Sequence, residues 1–300
     1  MYFGNYPSYA NAMRTLRCMC RRRDRRCAAP PMRPMRRAEA VLRRGVSTPC
    51  AAVPPQRRVV TFLALSVVGG SSVVLRVHPS FEECRSMSAH RPPAAPIRLH
   101  RSPLSGHCHR VELFLSLLGV PVEFVEVDMR GGAHRRPEFL ALNPFGQVPV
   151  IEDGECVLFD SNAILVYLAK RYGDPSWLPD DPQGAAAVQR WLSLAAGPIA
   201  YGAAAARLVT LFGAPLDHAG AIGIARRLFD VIEPELAGKR FATGEHPTIA
   251  DVAAYAYIAH APEGGVSLDR YPNLRAWLAR IEALPGFVPM PRSHAGPRAA

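Results

Sequence analysis

Residues Asn143–Ser161 read NPFGQVPVIEDGECVLFDS, and this stretch decides the fold. Val148–Glu152 and Glu155–Phe159 flank Asp153-Gly154, a two-residue turn signal that predicts an antiparallel hairpin. Ser161 then caps a helix whose run Ala163–Ala169 is apolar nearly all round, as in a helix covered on more than one side. Upstream, a strand Ile97–His100 passes through the turn Pro103-Leu104-Ser105-Gly106 into a helix over about Cys108–Leu118. Val111, Phe114, Leu115 and Leu118 recur at helical spacing and mark its core face. Gly119 closes that helix in the left-handed conformation, and Val122–Val127 follows as a second strand, which makes a right-handed parallel unit. A basic loop (Gly131–Arg136) and a short helix near Pro137–Leu142 complete the order βαβαββα, a small mixed sheet with helices on both faces.

Downstream, the polar Pro/Gly/Asp stretch Gly173–Gln183 reads as a linker, and everything after it is helical. Core stripes are predicted at Val188, Trp191, Leu192 and Ala195, at Ile224, Leu228 and Val231, and at Leu274, Trp277, Leu278 and Ile281. Thr248-Ile249-Ala250-Asp251 is a capping box ahead of an apolar helix. The expected class is therefore α/β plus all-α, with a βαβαββα domain over 97–173, a linker over 174–183, a helical bundle over 184–292 and a tail over 293–300.

The 300 residues, 49% hydrophobic and 20% charged, suit about two domains and exclude a chain disordered throughout. No uninterrupted apolar run reaches the ~20 residues of a membrane span, which excludes a polytopic membrane protein. The net charge of +11 is confined to one end: the first 86 residues hold 16 arginines, no lysine and four acids. The near-neutral remainder gives no support for nucleic-acid binding. Residues 1–96 read as an arginine-rich, disordered extension, with Met87 as a candidate true start after Glu82-Glu83, whose codons can double as a ribosome-binding site. Competing readings of that segment are a targeting peptide, an anchor at Val59–Leu75, and phosphate binding through Arg21–Arg26. Cys18, Cys20 and Cys27 lack the paired spacing of a zinc module. The body has only Cys108 and Cys156, too few for a disulfide framework, which suits a reducing, cytoplasmic setting without membrane association.

Four stretches, SPLSGHCHRVELFLSLLGV, NPFGQVPVIEDG, DSNAILVYLA and TIADVAAYAYIA, together resemble the cytosolic glutathione S-transferases over about residues 97 to 290. The resemblance is to the serine-type, bacterial-like members. It implies a thioredoxin-like first domain that binds glutathione, a helical second domain that contributes an electrophile pocket, and a homodimer engaged in detoxification. It also implies glutathione as co-substrate, with no cofactor.

On this resemblance Ser105 is the catalytic hydroxyl that donates to the glutathione sulfur, with Ser102 as fallback. A thiol with a pKa near ~8.5 needs such a donor and positive potential to ionise at neutral pH, and a helix N-terminus offers both. Pro149 matches the proline that is cis in thioredoxin-like folds, leaving the Val148 backbone to pair with the cysteinyl part of glutathione as an added strand. Asp160 and Ser161 match the pair that holds the γ-glutamyl end, Ser161 with its helix's first N–H groups taking the α-carboxylate and Asp160 facing the ammonium. His134, Arg135 and Gln147 align with the groups that meet the glycyl carboxylate, with Arg136 beside them. Tyr201, after a bend expected at Pro198, and His107 are the candidates for the electrophile side. His107 and His109, two residues apart at a helix start, cannot easily converge on one metal, and no metal is assigned. Ser105 stands where glutathione-dependent reductases need a cysteine, which disfavours reductase chemistry despite nearby Cys108. Peroxidase or dehalogenase side activities stay open, and a non-catalytic glutathione-binding or assembly module is the alternative.

Overall fold

The computed structural model describes residues 93–293. The expectations for the arginine-rich segment, its Met87 start, its possible anchor and cysteines, and for all but the first residue of the tail lie outside the described residues.

The first domain runs β1 (Ile97–Arg101), α1 (Gly106–Leu117), β2 (Val122–Glu126), α2 (Pro137–Leu142), β3 (Val150–Asp153), β4 (Cys156–Phe159) and α3 (Ser161–Tyr172). The sheet order is β2-β1-β3-β4. β1 and β2 are parallel, with Ile97 opposite Val122, and β3 is antiparallel to both β1 and β4. Gly154 turns the hairpin with φ 59°, as Asp-Gly predicted. Gly119 has φ 64°, and the Val120 N–H reaches the Leu115 carbonyl at 3.0 Å, which ends α1 with its last carbonyls satisfied.

Two details of this domain differ from the pattern. Leu118 is only partly buried, because the chain already turns away there, while Leu113 joins the core. The residue capping α3 is Asp160 rather than Ser161: its carboxylate accepts the Asn162 and Ala163 N–H groups at 3.0 and 2.9 Å. Asp160 holds φ 68° and ψ 117°, a conformation outside the left-handed helical region that non-glycine residues rarely adopt.

The helical region contains α4 (Pro182–Leu194), a π-helical stretch Ala195–Ala204, α5 (Ala205–Phe212), α6 (His218–Glu235), α7 (Ile249–Ala259) and α8 (Pro272–Glu282). α4 begins within the predicted linker because Asp181 caps it and Pro182 takes the first helical position. Gly197, at φ −102° and ψ −108°, breaks helical geometry just before Pro198, which places the expected bend. By length and composition alone the run Pro182–Phe212 could cross a membrane. Its apolar side chains Val188, Trp191, Leu192, Ala195 and Ile199 instead belong to the bundle core. The stripe predicted on α6 is rotated: Val231 is 65% exposed, and Ala221, Ala225, Leu228, Phe229 and Ile232 face inward. Gly202 permits the close approach of that inward face, since a Cβ there would stand 2.8 Å from the Ala225 backbone nitrogen.

α7 is the centre of the molecule: every residue from Ile249 to Ile258 is buried, and the helix touches α1, α3, α4 and α8. The predicted capping box is present, and Asp251 does more than close it. Asp251 Oδ1 accepts the Ala242 N–H and the Trp277 Nε1–H, both at 2.7 Å, and Oδ2 accepts the Thr248 N–H at 2.9 Å. Burial pushes this carboxyl above its usual range, and the backbone and indole donors oppose that shift. Removing the carboxylate leaves three buried donors without an acceptor. Asp251→Ala is therefore expected to lower unfolding stability by about 3–5 kcal/mol, measured by denaturant titration. A loss under about 1 kcal/mol would show that the donors find other acceptors.

Candidate active site

The loop between β1 and α1 carries Ser105, which is 7% exposed and caps α1. Its Oγ accepts the Cys108 N–H at 3.3 Å and its side chain also hydrogen-bonds the Cys108 sulfur, a weak acceptor from which a ligand can take over the hydroxyl hydrogen. The helical region holds this loop in place. Buried Arg207 donates from Nη1 to the Leu104 carbonyl at 2.8 Å and from Nε to Glu263 at 2.6 Å. Gly106 is needed because any Cβ there would lie 2.7 Å from the Tyr257 ring of α7. Cys108 is a buried free thiol whose pKa burial raises to about 11, and its sulfur accepts the Ser102 N–H at 3.4 Å. A thiol held protonated in this way is a poor nucleophile.

A second wall is the loop into β3. The Val148–Pro149 bond is cis, as expected. Buried Asn143 shapes the approach: its Nδ2 donates to the Gln147 carbonyl at 2.7 Å, and its Oδ1 accepts the Phe145 N–H at 3.0 Å. The ladder starts at Val150, so the Val148 backbone lies outside it. Gly146, with φ 60°, sits so close to His134 that a Cβ would meet the His134 carbonyl oxygen at 2.9 Å. His134 and Gln147 thereby share one loop cluster. His134 is buried with neither ring nitrogen partnered among the described residues, and desolvation lowers its pKa. Arg135, Arg136 and Gln147 are exposed.

The third wall is the start of α3. Arg110, on α1, donates from Nη1 to Ser161 Oγ at 2.7 Å and to Asn162 Oδ1 at 2.8 Å. Ser161 Oγ also faces His107 Nδ1 at 3.3 Å, and the His107 ring packs edge-on against Tyr257. Burial first, then the Arg110 charge, lower the His107 pKa to about 3, so the ring is neutral at neutral pH. This arrangement changes one expectation. Asp160 spends Oδ1 on the Asn162 and Ala163 amides, so these helix N–H groups are not free to receive a carboxylate alongside Ser161. His107, a candidate for the electrophile side, stands within hydrogen-bond distance of Ser161.

Tyr201 lies on the π-helical stretch and is 58% exposed; no hydrogen bond or ring contact joins it to the other site residues among those described. Ser105, His107, Arg110 and Ser161 therefore form one cluster along α1, while Tyr201 stands apart. No group of three His, Cys, Asp or Glu side chains that could hold a metal ion occurs among the described residues. Sequence reasoning missed Arg110, Asn143 and Arg207. The available signals were an arginine inside an apolar helical run and an Asn-Pro pair ahead of the hairpin.

Family models match in two places: "Glutathione S-transferase, N-terminal domain" over residues 96–170, and "Glutathione S-transferase, C-terminal domain" over 221–285. Among curated proteins, glutathione S-transferase 3 of Zea mays is 36% identical over 219 residues, covering 66% of this chain and 96% of that one. Glutathione S-transferase theta-1 of Bos taurus is 31% identical, covering 66% of this chain and 87% of the relative. A crystal structure of glutathione S-transferase from Pseudomonas fluorescens [Pf-5] superposes with a TM-score of 0.62 at 34% identity, covering 65% of this chain and 99% of that one.

The state of Cys108 is testable directly. In the folded protein at neutral pH it is expected to alkylate with iodoacetamide at least about 100-fold more slowly than a free cysteine, read by peptide mapping before and after denaturation. Alkylation at the free-cysteine rate would show an accessible, ionisable thiol.

Proposed function

The chain belongs to the glutathione S-transferase family, and on that premise we propose that Ser105 activates bound glutathione for attack on small hydrophobic electrophiles. The observation that carries this reading is the Ser105 hydroxyl: buried, at the N-terminus of α1, with one lone pair engaged by the Cys108 N–H and no acceptor for its hydrogen stronger than the weak Cys108 sulfur. A glutathione sulfur set against that hydrogen is stabilised as thiolate by the bond and by the positive end of the helix. The thiol proton passes to solvent. The thiolate then forms a carbon–sulfur bond to the electrophile, and the displaced group leaves with its electron pair. No covalent bond to the protein forms, and the rate gain comes from thiolate stabilisation and proximity.

The tripeptide would lie across the three walls. Its cysteinyl backbone would pair with Val148 beside Pro149. The γ-glutamyl end would meet Ser161, with its ammonium toward Asp160, and the glycyl carboxylate would meet His134, Arg135 and Gln147. The buried, unpartnered imidazole of His134 supports the last contact, because such a group is stabilised by gaining an acceptor. Tyr201 is proposed for the electrophile side on its exposure and its place after the bend. A homodimer fits the family. A cytoplasmic setting rests on cysteine usage in the sequence alone.

Difference absorbance during titration of glutathione into the full chain tests the central role. The wild type is expected to show a bound thiolate at neutral pH, and Ser105→Ala to lose it with a fall in kcat/KM of about 100-fold. Ser102→Ala should change kcat/KM less than threefold. A Ser105→Ala enzyme that keeps the thiolate band would move the activating role elsewhere.

A further inference from the structure

Arg110 is 1% exposed, and among the described residues no carboxylate lies within ion-pairing distance of it. Its Nη1 serves two neutral acceptors, Ser161 Oγ and Asn162 Oδ1, while Nε and Nη2 have no partner there. Burying a guanidinium without a counter-charge is costly, and truncating it to an apolar residue would often be no worse for stability. Burial does lower its pKa, to about 10, which leaves it charged at neutral pH. The protein thus keeps a buried cation with no direct ion-pair partner behind Ser161, at the start of a twelve-residue helix, where the Asp160 carboxylate offsets its charge only through space.

A second feature gives that cation a role. The Asn162 and Ala163 amides, which a carboxylate at this helix start would ordinarily engage, are occupied by Asp160. An anion held by Ser161 therefore has lost most of the helix's N–H donors and needs its charge balanced from another source. Arg110 is the side chain in place to do so. It also sets the hydroxyl's polarity. A guanidinium only donates, so Ser161 Oγ must accept from it, and the hydroxyl hydrogen points elsewhere. When neutral His107 carries its proton on Nδ1, that ring fills the second acceptor site of Ser161, and the hydroxyl hydrogen is left for the ligand.

We propose that Arg110 is a positioning residue that makes the site selective for thiols carrying the γ-glutamyl α-carboxylate, by aiming the Ser161 hydroxyl and supplying the missing counter-charge. The inference rests on the reading of Ser161 as the γ-glutamyl contact.

Calorimetric titration of the full chain with glutathione and with γ-aminobutyryl-cysteinyl-glycine, which lacks only that carboxylate, gives a discrimination ratio of the two dissociation constants. The wild type is expected to favour glutathione by about 100-fold. Arg110→Met should reduce the ratio about tenfold, and Arg110→Lys, which keeps the charge, should stay within about threefold of wild type. A merely structural role would weaken both ligands in parallel and leave the ratio unchanged, which overturns the proposal. So does a wild type that binds glutathione without discriminating. If Arg110→Met does not fold, Arg110→Gln, which keeps a donor for Ser161 but removes the charge, decides: a ratio reduced about tenfold supports the proposal, and an unchanged ratio overturns it. A wild-type chain that binds no glutathione removes the reading of the site, and this inference with it.

Discussion

The buried carboxylate of Asp251 is the interaction on which the remaining geometry depends. It gathers the N–H of the chain before α7, the helix cap itself and the indole of α8 around two oxygens. That fixes both the start of α7 and the helix packed beside it. α7 then carries Tyr257 to Gly106, at the first turn of α1, and Tyr255 to the ring of His109. Because protein interiors are close-packed, a displacement at one end of such a helix reaches the other. The position of Ser105 is in this sense decided some distance away, in the helical region.

The same dependence runs through Arg207. Its guanidinium lies in the bundle, paired to Glu263, yet one of its bonds ends on the carbonyl immediately before Ser105. Glu263 in turn pairs with His260 and accepts the Ser293 N–H. The thioredoxin-like domain supplies the Ser105 hydroxyl, and the helical domain supplies the supports that hold it. A site built in this way cannot be moved between the two domains without being lost.

Two buried arginines serve the site in different ways. Arg207 is neutralised by Glu263 and acts as a brace. Arg110 has only neutral partners and leaves its charge available at Ser161. The difference follows from partner chemistry: a carboxylate cancels the field of a guanidinium, and a hydroxyl or an amide does not.

Much of the fold was legible from residues 143–161 and the stripes around them. Local chemistry carries that information: Asp-Gly makes the hairpin turn, Gly119 accepts the left-handed conformation, and Thr248 with Asp251 closes a cap within four residues. Apolar spacing did the same for the stripes on α4 and α8, where burial matches the periodicity residue for residue. It misplaced Val231, because α6 offers two overlapping apolar spacings, and the one through Ala221, Ala225, Leu228 and Ile232, against which Gly202 packs closely, is the one buried.

The site divides along the same line. Ser105, Pro149, Asp160 and Ser161 stand in short motifs and could be named from the sequence alone. That Asp160 takes the cap, that His107 joins Ser161, that Asn143 ties down the Gln147 carbonyl, and that Arg110 lies without a direct ion-pair partner behind Ser161 are properties of the tertiary structure. Each depends on what a side chain meets across the fold. Sequence determines which donors, acceptors and charges a residue offers, and packing alone determines which of them remain unanswered.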